Sequence, residues 1–347
     1  MSCGRYFVVG AGIVVMFLSG TASAELFVGN AGAQTVTVFA DDADGNVLPL
    51  RTLGGNSTLL TIVGGLAVDL VNQELFVSPK SNGSRVNVYP LDADGDVAPL
   101  RVLEGPSTGM DRVNGLAVDP VNDELWVCST GNDSVLVFPR DANGDVAPIR
   151  TISGPSTGLD YGLYVFVDLT HDEVYVASMI TDSIVVFPRT ANGDVAPIRT
   201  IQGASTLFGG VRGIFVSQEH DELYVSDRSR NMIMTFPRTA DGDVAPLRTI
   251  SGAATGLDMP QGLVLSQDDE LIVACEGTNS VLVFPRTAAG NVTPSRTIAG
   301  ANTDFDGVDG LASSRAAELS TGFVGPLLLF IDGFESGDTD AWSVTKP

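Results

Sequence analysis

The sequence predicts an all-β fold: a six-bladed β-propeller of four-stranded antiparallel blades, closed by pairing of its N- and C-terminal strands. Three observations carry this. One phrase recurs six times at intervals of 48 to 50 residues, four strand-like runs fall within each interval, and the two ends of the chain hold complementary parts of one unit. Periods of about 20 to 50 residues mark repeat arrays, because a single unit cannot bury its apolar side alone.

The recurring phrase reads ELFV, ELFV, ELWV, EVYV, ELYV and ELIV, opening at Glu25, Glu74, Glu124, Glu173, Glu222 and Glu270. In the third unit ELWV is one strand, SVLVF from Ser134 to Phe138 a second, PIRTI from Pro148 to Ile152 a third, and YVFVD from Tyr164 to Asp168 a fourth. Elsewhere the fourth run reads GLAVD, as at Gly65 and Gly115. Short β-branched and aromatic runs separated by Gly, Asp, Asn and Pro are the pattern of an antiparallel blade.

Between the second and third strands lie DADGNV, DADGDV, DANGDV, TANGDV, TADGDV and TAAGNV. Asp-Gly and Asn-Gly tolerate the positive φ of a tight hairpin, so a turn at Asn143 and Gly144 is expected to set Phe138 opposite Ile149 on one apolar face. These turns also look like the start of a calcium loop. That loop needs Gly sixth and a bidentate Glu twelfth, whereas here Gly is fourth and a strand follows at once.

The ends fit the same scheme. Arg5, the apolar stretch from Tyr6 to Leu18 and the ending Ala22-Ser23-Ala24 read as a signal peptide over 1–24, cleaved before Glu25, which implies a secreted or periplasmic protein. The chain after that point starts on ELFV without a preceding GLAVD strand, and GLASS at Gly310 supplies the missing copy. The propeller is therefore expected over 25–322. A tail over 323–347, PLLLFIDGFESGDTDAWS within it, resembles a C-terminal phrase of secreted bacterial proteins; its apolar part is too short to span a bilayer, and it reads as a sorting or attachment segment or, alternatively, as an extra strand packed on the ring with Trp342 buried. Cys128 and Cys275 fall in opposite repeats and are expected to be two free, buried thiols.

With 42 acidic against 19 basic residues, the chain repels nucleic acid and anionic membrane surfaces. The expected partner is a small molecule or a protein, bound by a monomer with no membrane span in its mature form.

The phrases GLAVD, ELWV, SVLVF and RTISG resemble the NHL and YVTN type of bacterial propeller repeat, over residues 25 to about 318. The resemblance implies a fold more than a function, since such propellers include lactonases, lyases and binding scaffolds. The Asp that NHL repeats carry after the second strand is kept only at Asp227; the other positions are Asn30, Pro79, Ser129, Ser178 and Cys275.

Propeller topology puts the outer-to-inner loops on the face that borders the channel mouth, the default binding surface. Thr58, Thr108, Thr157, Thr206, Thr255 and Thr303 recur there in every unit and are expected to fix the loops by side-chain hydrogen bonds. Positions that break the repetition are free to serve a ligand: Asn114, Arg212, Gln261 and Asp309 before the inner strands, joined by Asp227 and Glu276 from neighbouring loops. The reading is a binding or interaction module using this face without a cofactor. The alternative is a lactonase-like hydrolase that holds calcium through the same carboxylates and amides, with Arg212 opposing the cation. The lyases of similar fold use His, but His171 and His220 fall in turns on the opposite face. That face also carries Asp119, Asp123, Asp168, Asp172, Asp221, Asp268 and Asp269, read as solvated turn residues.

Overall fold

The computed structural model describes residues 24–80 and 84–314; the leader and tail segments lie outside them. Six four-stranded antiparallel sheets form. Their inner strands, Val308–Ser313, Val63–Asp69, Val113–Asp119, Gly162–Asp168, Val211–Ser217 and Pro260–Leu265, contact one another in sequence around a ring that closes on itself. We number the blades 1 to 6 in that order. Blade 1 is completed as the ends of the sequence imply: Val308–Ser313 pairs with Glu25–Asn30, setting Phe27 opposite Ala312 and Val28 opposite Leu311.

Each blade lies between two others, so its middle strands are buried on both faces. Ser134–Pro139 is buried at every residue but the last, which explains the continuous apolar runs of the sequence. The largest buried side chains come from the two middle strands of each blade: Phe27, Phe76, Trp126, Tyr175 and Tyr224 from the E-L-x-V strand, and Phe39, Tyr89, Phe138, Phe187, Phe236 and Phe284 from the strand after it. Cys128 and Cys275 are free and buried, and burial raises the Cys275 thiol to about 12.

The Asp-rich segments differ from the expected hairpins. Val137 does pair with Arg150, so the expected register continues to Phe138 and Ile149, but Phe138 is buried and Ile149 is 50% exposed. The reason is that the segment crosses to the preceding blade instead of turning tightly. Gly144, at φ 72°, bridges Leu103 there, and its N–H donates to the Val102 carbonyl at 2.8 Å. The flanking side chains cap the same blade: Asn143 accepts from the Val102 N–H at 3.3 Å and Asp145 from the Ser107 N–H at 2.6 Å. All six units dock in this way. The carboxylates thus satisfy backbone donors at blade seams, which the hairpin reading missed.

The far face matches the solvated turns expected of it at Asp123, Asp172, Asp221 and Asp268, which are exposed, and differs at the buried positions. Asp119 and Asp168 are fully buried and accept from the turn N–H groups of Val121 and Asn122, and of Thr170 and His171. Asp123, Asp172, Asp221 and Asp269 pair with Arg140, Arg189, Arg238 and Arg286. His171 bonds Asp168, and His220 bonds Ser217, within the same turns.

A second device joins the blades. The Glu of each E-L-x-V strand pairs with the Arg of the outer strand in its own blade, as Glu222 does with Arg248. In blades 3 to 6 a further arginine, Arg140, Arg189, Arg238 or Arg286, reaches back to the Glu of the previous blade. Blade 1 has Asp41 at this position, at the seam where the ring closes. Its carboxyl is 7% exposed, and one oxygen has no partner among the described residues. Burial, with Asp268 and Glu270 nearby, raises its pKa against the opposing Gln267 N–H and Arg296. A raised folded pKa means a contribution present at low pH and lost as pH rises through it. Asp41→Arg replaces the misplaced charge with the bridge that blades 3 to 6 use, toward Glu270. We expect it to add about 1 kcal/mol at pH 7, seen as a melting temperature about 2 °C higher by circular dichroism; an unchanged or lower value would count against this account of the seam.

Candidate functional site

The channel mouth is built where the inner strands begin to converge. Their second residues are Gly64, Asn114, Leu163, Arg212, Gln261 and Asp309, and in five blades the next residue is glycine. A Cβ at Gly310 would lie 2.2 Å from the Gly64 carbonyl oxygen, and one at Gly65 would lie 2.4 Å from that of Asn114. Close approach of neighbouring strands therefore requires glycine there.

Blade 4 breaks the rule with Tyr164. Its ring reaches across to the opposite blade, where the hydroxyl donates to Asp309 Oδ1 at 2.9 Å. The other Asp309 oxygen is paired with Lys80, and Asp309 as a whole is 4% exposed. Burial, reinforced by the Asp309 charge, holds the Tyr164 hydroxyl protonated well beyond the ordinary phenol range.

Arg212 stands beside this pair. Burial lowers its pKa and so does neighbouring Arg228, while Tyr164, Asp309 and Glu276 act in the opposite sense. Glu276 accepts from Gln261 Nε2 and, at 3.2 Å, from Arg228 Nη2. Asn114 is nearly buried, and its Oδ1 has no partner among the described residues.

Of the residues expected from the sequence, Arg212, Gln261, Glu276 and Asp309 are thus brought into one electrostatic cluster, with Asn114 at the equivalent strand position. Asp227 is not brought to it. Its carboxylate is fully buried and accepts from the Gly209 N–H at 2.7 Å and the Arg230 N–H at 2.9 Å, so it fastens a loop. Ser129 and Ser178 do the same at their positions, accepting from Asp111 and Asp160 N–H. The recurring threonines fasten the loops as expected, with Thr58 Oγ1 donating to the Gly55 carbonyl at 2.6 Å.

Three members of the cluster escaped sequence reasoning: Lys80, Tyr164 and Arg228. The signal was available. Lys80, Arg228 and Glu276 occupy one position, just after the E-L-x-V strand, where the other units have Ala31, Thr130 and Met179. Tyr164 replaces the glycine of GLAVD.

Among the described residues the cluster holds three cations, Lys80, Arg212 and Arg228, against two carboxylates, Glu276 and Asp309, in a chain whose formal charge is −23. That balance suits a ligand or transition state with developing negative charge. It does not suit a divalent cation, because each carboxylate already has a cation of its own; among the described residues no group of three or more His, Cys, Asp or Glu could hold a metal ion.

A ring of six antiparallel sheets around a polar-mouthed channel defines the class, a β-propeller. Residues 22–303 match the family described as "Lactonase, 7-bladed beta-propeller", and the chain belongs to that family, with six blades in its own structure. Comparison with curated proteins finds no match. Among solved structures, the chain is similar to a nidogen/laminin complex at 14% identity and TM-score 0.61, over 84% of this chain and 98% of that one. It is similar to a periplasmic gluconolactonase from Pseudomonas aeruginosa at 14% identity and TM-score 0.58, over 84% and 99%. A putative 6-phosphogluconolactonase from Bacteroides fragilis is similar at 20% identity and TM-score 0.55, over 85% of each chain. These likenesses show the fold.

Proposed function

We propose that the chain hydrolyses lactones, of the hydroxylated sugar-acid type, at the channel mouth and without a metal ion. The observation that carries the reading is the Tyr164–Asp309 pair across the channel, flanked by Lys80 and Arg212. Membership of the lactonase family supports it, as do the gluconolactonase and putative 6-phosphogluconolactonase among the structures of similar fold.

In this scheme Asp309 takes a proton from water as the water oxygen attacks the ester carbonyl carbon. Lys80 and Arg212 stabilise the resulting oxyanion in a largely desolvated site, where fixed charges act most strongly. When the ring C–O bond breaks, the proton passes from Asp309 to the leaving alkoxide, and the product is the open hydroxy acid. Tyr164 orients Asp309 from the opposite blade. The unpartnered Asn114 Oδ1 and the amide of Gln261 supply acceptors and donors for substrate hydroxyls.

Glucono-δ-lactone and a panel of γ- and δ-lactones, followed by acid release at constant pH, test the proposal. Asp309→Asn is expected to lower kcat/KM about 100-fold, within the range of general-base removal, in protein that still unfolds cooperatively. A chelator is expected to leave the rate unchanged, and calcium to leave the melting temperature unchanged, since a ligand of the folded state would raise it. Saturable lactone binding with no turnover would instead make the mouth a binding module, and loss of turnover on chelation would restore the calcium-dependent alternative.

A further inference from the structure

Below the mouth the channel contains a cavity of about 200 Å³. Tyr164 lines one end, and Leu70, Pro120, Leu169 and Gln218, from the turns of the far face, line the other. We infer that this cavity is a second binding site, below the mouth, for a small neutral molecule built on a single aromatic ring.

The repeat shows that the space is not forced by the fold. At one equivalent position of the inner strands the six blades carry Ala312, Ala67, Ala117, Phe166, Phe215 and Val264, and all six line the cavity. Phe166 and Phe215 pack edge to face at 5.2 Å, so the architecture accepts a phenyl ring here. Three neighbouring blades nevertheless keep alanine. The void is the room that those three side chains leave opposite an aromatic wall.

The lining specifies the ligand. Its side chains are mainly aliphatic and aromatic, with Gln218 and Ser313 the polar ones toward the far end, while polar atoms, the inner-strand backbone included, share the exposed lining almost equally with apolar ones. The Tyr164 hydroxyl at the other end is already committed to Asp309. A cavity of roughly 150 Å³ has room for benzene, so this one has room for a ring with a small substituent, set against the Phe166 and Phe215 rings. Val71 and Val121, 61% and 69% exposed, extend the apolar surface beside Leu70 and Pro120 on the outer side of the turns. Asp123 and Asp172, with side chains 78% and 75% exposed on the same face, disfavour an anion.

Toluene titrated into the full chain, followed by calorimetry and by ligand NMR line width, tests the site. We expect saturable one-to-one binding that weakens at least tenfold in Ala117→Phe and in Ala67→Phe, each of which fills the void with the ring already present in blades 4 and 5. Glu276→Gln, at the mouth, is expected to bind toluene as the parent does. Two phenylalanine variants keep the test decisive if one fails to fold. Absence of saturable binding to the parent, binding unchanged in the folded phenylalanine variants, or binding lost in Glu276→Gln would each overturn the inference.

Discussion

A chain ending at Gly307 is expected to lose cooperative unfolding altogether, whereas a chain ending at Ser314 keeps it. The six residues Val308–Ser313 form the innermost strand of blade 1 although they lie more than 250 residues from its other strands. Removing them exposes the edge of Glu25–Asn30, whose Leu26, Phe27 and Val28 are fully buried, and opens the ring between the inner strands of blades 6 and 2. Val308 and Leu311 are buried as well; burying each is worth about 2 kcal/mol, and each ladder hydrogen bond adds about 1 kcal/mol. The sum exceeds roughly 5 kcal/mol, a large part of the stability of any domain. The contacts Asp309 makes with Lys80 and Tyr164 go too. Scanning calorimetry of the two chains decides the matter: a heat-absorption peak for the shorter chain within a few degrees of the longer one would show that the ring holds without its clasp.

Glu222→Gln should cost about 3 kcal/mol at neutral pH, and the cost should vanish in acid. The Glu222 carboxylate receives Arg248 Nη1 and Nη2 at 2.7 and 2.8 Å, Arg286 Nη1 at 2.9 Å, and the Tyr224 hydroxyl. Two guanidinium groups from different blades therefore depend on one charge. Removing one partner of such a buried arrangement strands the others, at about 3 to 5 kcal/mol. The pKa leads to the same magnitude. Burial raises it, but the hydrogen bonds from Arg248 and Tyr224 and the charges of Arg248 and Arg286 outweigh burial and lower it from 4.5 to about 2, which at about 1.4 kcal/mol per unit is again about 3 kcal/mol. Because the folded value lies below the unfolded one, the stabilisation is complete above pH 4.5 and is lost as pH falls through 2. Glu74 and Glu173, also lowered, add to the same acid transition. Urea unfolding of parent and variant at pH 7 and at pH 2.5 should show a gap that narrows markedly on acidification; a gap of equal size at both values would mean that Glu222 acts through packing and not through charge.

The cluster at the mouth was half legible before the fold was known. Positions that depart from a repeat are the ones the architecture leaves open, and that rule led to Arg212, Gln261, Glu276 and Asp309. It failed for Asp227, because a lone carboxylate in a loop resembles a ligand-binding group whether it faces a ligand or a backbone N–H. It stopped short of Tyr164 and Lys80, since their meaning lies in distance: one residue reaches across the channel, and the other is separated from Asp309 by 229 positions of chain.

The sequence by itself determined the number of blades, the four strands of each, their order and the way the ends join. Those features depend on a period and on apolar runs, and both are written along the chain. Only the tertiary structure decided where polar side chains go. The Asp-rich turns became seam clamps, the far-face aspartates became caps and arginine partners, and Tyr164 became the bar across the mouth. The physical reason is that a hydrogen bond or ion pair between blades depends on two segments meeting at about 3 Å, a condition set by how the ring curves and not by any local pattern of residues.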